Sequence, residues 1–219
     1  MIVTIDGPAG SGKSTVARQL AVRMDIAYLD TGAMYRTVGL AAIQERVPLD
    51  DGHAICALIG RMEMDIGCTP SETRIRLHGK DVSREIRTMS AGGAAGAVAV
   101  LAPVRLLLIE RQRAIAARLG SLVADGRDQG SVVFPDADAK FLITASPECR
   151  ARRRFAELKS DGQLVTMDQV LADVRRRDAT DQIQWQTLLQ PGSAVQIDTT
   201  DLSLEQVVDR LLTEVRRRI

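Results

Sequence analysis

Gly7, Gly12, Lys13 and Ser14 carry the most definite chemistry in this chain, because they stand in the run Gly7-Pro8-Ala9-Gly10-Ser11-Gly12-Lys13-Ser14, spaced G-x-x-x-x-G-K-S. Glycines at that spacing let successive backbone N–H groups converge on one anion, and a helix that follows adds the positive end of its dipole. The lysine then reaches the outer phosphates, and the serine hydroxyl can ligate magnesium. Such a loop works only between a strand and a helix, and both are written here. Ile2-Val3-Thr4-Ile5 has the β-branched content of a buried strand, and Val16, Ala17, Leu20, Ala21 and Met24 recur on one helical face. The run reads as a cradle for a nucleoside triphosphate.

A cradle names a ligand and not a reaction, so the other cations matter. In phosphoryl transfer charge spreads over the phosphoryl oxygens, and catalysis is chiefly in-line positioning, fixed cations and exclusion of water. Arg36 and Arg127 each follow a strand end, where open α/β sheets bind ligands. Arg150, Arg152, Arg153 and Arg154, with Arg175, Arg176 and Arg177, fall on two helices separated by the polar break Ser160-Asp161-Gly162, the pattern of a lid. Arg23, Arg61 and Arg216 to Arg218 read as solvated helix faces. A guanine-reading N-K-x-D or T-K-x-D sequence is missing, since Leu158-Lys159-Ser160-Asp161 lacks the first residue. That argues against a regulatory GTPase.

The elements that must place these groups alternate between strand and helix. Ile26-Ala27-Tyr28-Leu29 predicts a second strand, and Asp30-Thr31 an N-cap for a helix burying Met34, Val38, Ala41 and Ala42. A weak helix is expected from Ala54 to Met64, then a half-exposed strand Thr73–Leu77, a turn over His78-Gly79-Lys80-Asp81 and a return from Val82. This small antiparallel piece interrupts the βα rhythm, as an insertion over the ligand edge would. Ala91–Ala102 is bland enough for close helix packing, and Pro103–Arg118 predicts a helix turning Val104, Leu107, Leu108 and Ile115 inward. Ser121–Ala124, Lys140–Thr144 and Ala194–Ile197 complete five core strands. Ser146-Pro147 starts one lid helix. Thr166 with Gln169 boxes the other, expected to end near Asp178, and Ser203 with Gln206 boxes a C-terminal helix along Leu204, Val207, Val208, Leu211, Leu212 and Val215.

Composition removes several other functions. The chain has 219 residues, 45% of them hydrophobic, a net charge of +1 and only 3% aromatic residues. That supports a core and gives no general attraction to nucleic acid and few rings for base stacking. Cys56, Cys68 and Cys149 lack any C-x-x-C spacing, so neither a disulfide framework nor a zinc site is expected. Met1 leads directly into the first strand, and no apolar run nears the roughly 20 residues that span a bilayer. The expectation is a cytoplasmic monomer with small-molecule partners and neither nucleic-acid nor membrane partners.

Three longer stretches resemble a known family. Ile5-Asp6-Gly7-Pro8-Ala9-Gly10-Ser11-Gly12-Lys13-Ser14-Thr15, Leu29-Asp30-Thr31-Gly32-Ala33-Met34-Tyr35-Arg36 and Ala124-Asp125-Gly126-Arg127-Asp128-Gln129-Gly130-Ser131-Val132-Val133-Phe134-Pro135-Asp136 are similar to the bacterial cytidylate kinases. Asp81-Val82-Ser83-Arg84-Glu85-Ile86-Arg87, Ala145-Ser146-Pro147-Glu148 and Asp198-Thr199-Thr200-Asp201-Leu202-Ser203 extend the likeness nearly end to end.

The resemblance implies an α/β P-loop kinase fold: a five-stranded parallel sheet flanked by helices, in one domain over residues 1–219. It also implies an acceptor-binding insertion at about 31–105 and a helical lid at about 150–184. The implied activity is transfer of the γ-phosphoryl group of ATP to CMP or dCMP with Mg2+ at Ser14. Gly7, Pro8, Ala9, Gly10, Ser11, Gly12, Lys13, Ser14 and Thr15 would hold ATP. Thr31, Arg36 and Arg127 would meet the acceptor phosphate, Arg105 and Asp128 the cytosine edge, and Arg177 and Asp181 the ribose. Lys13, Arg127 and the lid residues Arg153 and Arg154 would act on the transferred group.

An acceptor phosphate is mostly ionised at neutral pH, so this chemistry needs no general base. Gly96 stands where the family commonly places a serine on the base, and Gln184 where it places an arginine on the acceptor phosphate. Both changes weaken acceptor binding and make UMP the expected leak. A hydroxyl acceptor such as shikimate, with Asp125 or Asp128 as base, and a nucleotide-binding regulator without turnover are the alternatives.

Overall fold

The computed structural model describes residues 1–160, 162–190 and 192–218, apart from the side chains of 179–186. β1 (Ile2–Asp6) lies at the centre of a five-stranded sheet, with Val3 to Asp6 all buried. Around it stand β2 (Ala27–Asp30), β6 (Leu122–Gly126), β7 (Ala139–Thr144) and β8 (Val195–Asp198), in the order β2-β6-β1-β7-β8 with all four pairings parallel. Alternation divides the strands between two cores. Val3, Ile5, Val123 and Phe141 face α1 (Lys13–Met24) and α8 (Leu204–Arg216), which contribute Val16, Leu20, Val208 and Leu211. Leu29, Leu122 and Ala124 face α2 (Thr31–Gln44) and α5 (Ala102–Leu119), which contribute Met34, Val38, Val104 and Leu108.

Between α2 and α5 lies the insertion: α3 (Gly52–Arg61), then β3 (Met64–Cys68), β4 (Thr73–Leu77) and β5 (Lys80–Asp81) as an antiparallel sheet, then α4 (Met89–Ala99). Two expectations need correction here. The helix stops at Arg61, and Met64–Cys68 is a strand. With a glycine and a single β-branched residue its intrinsic strand preference is weak, and pairing of Ile66 with the buried Ile75 supplies what local sequence lacks. The turn is also only two residues long. His78 and Gly79 have φ of +49° and +76°, the primed geometry that matches strand twist, so Lys80 and Asp81 already pair with β4.

α4 packs on α2 so closely that a Cβ on Gly39 would lie 2.8 Å from that of Ala94. This explains the uncharged small-residue run. The insertion also closes the outer edge of β2. Tyr28 donates its N–H to the Thr69 carbonyl at 3.0 Å, Thr73 Oγ1 donates to the Tyr28 carbonyl at 2.7 Å, and the Asp30 N–H donates to Thr73 Oγ1 at 2.8 Å.

Where the lid is expected stands a pair of helices, α6 (Pro147–Ser160) and α7 (Met167–Trp185), with a core of its own in Ala151, Leu158, Val170 and Val174. Thr166 and Gln169 exchange the expected capping bonds at 3.3 and 2.9 Å. α7 continues beyond Asp178 because neither glycine nor proline occurs before Pro191. No single helix among the described residues is long and apolar enough to cross a membrane.

Candidate active site

The carboxyl ends of β1, β2 and β6 open into a cleft of about 820 Å3, bounded by the Gly7–Thr15 loop, the insertion and the lid. The loop is held by contacts that only glycine permits: a Cβ at Gly7, where φ is +151°, would sit 2.1 Å from the Ile143 carbonyl oxygen. Ala9 to Thr15 line the cleft, Pro8 turns its carbonyl inward to accept from Lys13 Nζ at 3.2 Å, and Ser14 is exposed at the first turn of α1. The loop thus lines the cleft with its backbone, the Lys13 side chain and the Ser14 hydroxyl.

Strand order gives Ser14 a partner that its sequence neighbourhood does not disclose. β6 lies beside β1, and Asp125 on β6 accepts from Ser14 Oγ through Oδ2 at 2.7 Å and from the Tyr28 hydroxyl through Oδ1 at 2.9 Å. Burial, with Asp30 nearby, pushes Asp125 up to about 6, against the pull of Lys13, Ser14 and Tyr28. Asp30 behaves differently. Burial opposes its charge too, but the Arg36 guanidinium at 2.8 Å, the Ala33 N–H and the charge of Arg87 hold it below the usual carboxylate range. Two carboxyls facing each other across β2 and β6 are thus set to different affinities for protons.

Arg36 and Arg127 both line the cleft, as do Arg153, Arg154 and Arg177. Arg127 donates to the Gly126 carbonyl at 3.3 Å. Arg153 donates to the Ser11 carbonyl at 3.1 Å and to Thr199 at 3.0 and 2.7 Å, which ties α6 to the cradle loop. Arg154 pairs with Glu157, and Arg177 with Asp173. The lid arginine that sequence ranked with these, Arg150, is a latch. Its side chain is 4% exposed, donates to Asp178 through Nη1 and Nη2 at 2.8 and 2.6 Å, and donates to the Ala9 carbonyl at 3.2 Å.

Thr31 is buried behind the cleft, with Oγ1 donating to the Asp125 carbonyl at 2.7 Å. Arg105 and Asp128 form an ion pair with each other and are not part of the cleft lining. Burial raises Asp128 even so, against the Arg105 charge. A Cβ on Gly96 would meet nothing within 4 Å. Asp181, Gln184 and Trp185 lie outside the described side chains.

Sequence reading passed over Tyr28, Asp30, Thr73 and Arg87, all of which line the cleft, and Asp6, which is buried beneath it. Burial carries Asp6 up to about 7 although the N–H groups of Gly130 and Gln129 favour its charged form. A carboxylate ending a β-branched run was the one available signal.

A family model described as cytidylate kinase matches residues 3–217. The cytidylate kinase of Nocardia farcinica is 44% identical over 220 residues, covering 100% of this chain and 95% of that protein. That of Geobacter sulfurreducens is 42% identical over 219 residues, covering 100% and 94%. Among solved structures, TT1252 from Thermus thermophilus is similar at a TM-score of 0.53 with 19% identity, covering 100% of this chain and 97% of that one. A shikimate kinase from Bacteroides thetaiotaomicron gives 0.52 and 13%, covering 99% and 98%. These two likenesses are of fold alone.

Proposed function

Because this chain belongs to the cytidylate kinase family, we propose that it moves the γ-phosphoryl group of ATP onto the phosphate of CMP or dCMP, releasing ADP and the nucleoside diphosphate. The observation that carries this reading is that one cleft is lined both by the cradle and by Arg36 and Arg127. A donor with several phosphates and an acceptor with one need that pairing of a backbone nest with separate cations.

In this reading ATP lies along Gly7–Thr15, with Lys13 against its outer phosphates. Arg36 and Arg127 fix the acceptor phosphate, Arg105 and Asp128 open their pair to read the cytosine edge, and Arg177 with Asp181 holds the ribose. Arg153, already bonded to the cradle, and Arg154 act on the transferred phosphoryl group, from which closure of the lid excludes water. Ser14 Oγ and Asp125 Oδ2, 2.7 Å apart, are hard oxygen donors suited to Mg2+, and a cation there would offset the cost of burying the Asp125 charge. When bound, Mg2+ neutralises charge on the phosphates.

The open space at Gly96 and the neutral Gln184 support looser acceptor recognition, with UMP as the second substrate. The reading is tested by ADP release with ATP and Mg2+ across CMP, dCMP, UMP, AMP, GMP and shikimate. CMP and dCMP are expected to lead and UMP to follow. Equal rates for pyrimidine and purine acceptors would refute the specificity, and absence of acceptor-dependent release would refute the activity.

A further inference from the structure

Asp6 ends β1, immediately before the cradle, and its carboxyl is fully buried. The ladder between β1 and β6 also ends there, with Asp6 paired to Gly126 as the last rung. Beyond that rung the chain carries Arg127 and Asp128 and then turns through the short π-helix Gln129–Val133. Asp6 takes over where the ladder stops: Oδ1 accepts the backbone N–H of Gln129 and Oδ2 that of Gly130, both at 2.8 Å. Gln129 is 1% exposed and Gly130 is buried, so water offers neither amide an alternative.

We propose that Asp6 is a positioning residue for the acceptor side, clamping the turn that carries Arg127 and Asp128 to the strand that launches the triphosphate cradle. This rests on the assignment of Arg127 and Asp128 to the acceptor. The two functional loops come from positions more than a hundred residues apart, and a single carboxylate fixes one relative to the other. Two convergent N–H donors require a group that accepts on both oxygens. An asparagine of the same shape accepts on one and turns an N–H toward the other donor.

The test is Asp6→Asn, confirmed as folded by a cooperative melt and assayed at pH 8 with ATP and CMP varied separately. The KM for CMP is expected to rise tenfold or more while the KM for ATP stays within threefold, a split that general loosening would not produce. A CMP KM within threefold of the wild type, or an equal rise for ATP, overturns the proposal. If the variant does not fold, the wild type decides. The amides of Gln129 and Gly130 are expected to exchange hydrogen at least a hundredfold more slowly than in an unstructured chain, and unprotected exchange overturns the clamp. Failure of the acceptor reading looks different, as a folded wild type that makes no ADP with CMP.

Discussion

Lys13 sits at the centre of the cradle, 8% exposed and close enough to Asp6 and Asp125 to favour their charged forms. Lys13→Ala should lower turnover on the order of a hundredfold or more, the scale for removing one preorganised contact to the transferred group, and steady-state ADP release measures it. Asp125 invites a different prediction because its partners, the Ser14 and Tyr28 hydroxyls, can accept as well as donate. The fold should therefore tolerate Asp125→Asn, where Asp6, facing two backbone N–H groups, has no such freedom. Asp125 has its pKa raised from 3.8 to about 6, so the native state keeps a proton that the unfolded chain has lost. The stability this contributes is present below about pH 4 and is lost as pH rises through about 6. Removing the charge should raise Tm by roughly 5 °C at pH 8, with the advantage vanishing toward pH 4, while turnover falls by about 10- to 100-fold. Thermal melts at the two pH values check the sign. The cradle was legible in the sequence because it is local, whereas the bond from Ser14 to Asp125 depends on β6 lying beside β1, which no spacing records.

The elements divide in the same way. Strands and helices with strong periodicity, such as α8 with its Ser203–Gln206 capping box, stand where their residues place them. β3 and the two-residue turn at His78 and Gly79 were hidden because one is held by its partner strand and the other by backbone geometry. α4 shows the opposite case, a segment legible only as bland, whose blandness is its role. Gly39→Ala would drive a methyl group to within 2.8 Å of Ala94 and 2.9 Å of the Ala95 nitrogen, and separating α2 from α4 should cost about 1–3 kcal/mol. Chemical denaturation should show a lower midpoint with an unchanged slope.

For the molecule as a whole, the α6–α7 pair, the proposed lid, has an apolar core separate from those on the sheet and meets the cradle through the polar contacts of Arg150 and Arg153. Its core of Ala151, Leu158, Val170 and Val174 is distinct from the two clusters that sandwich β1 and β6. Local opening should follow that division, with amides in α6 and the first half of α7 exchanging at least tenfold faster than those of β1 and β6. Protection as high in the lid as in the central strands would show instead that the two open together. The insertion between α2 and α5 has a second consequence besides the acceptor-binding role proposed for it. By placing Thr69 and Thr73 against β2 it occupies backbone groups that would otherwise template pairing with another chain. If the proposed acceptor role holds, substrate handling and colloidal behaviour are joined in one segment. Shortening this segment to change acceptor preference would uncover an adhesive strand, and light scattering should detect self-association in such variants before any assay reports a change in specificity.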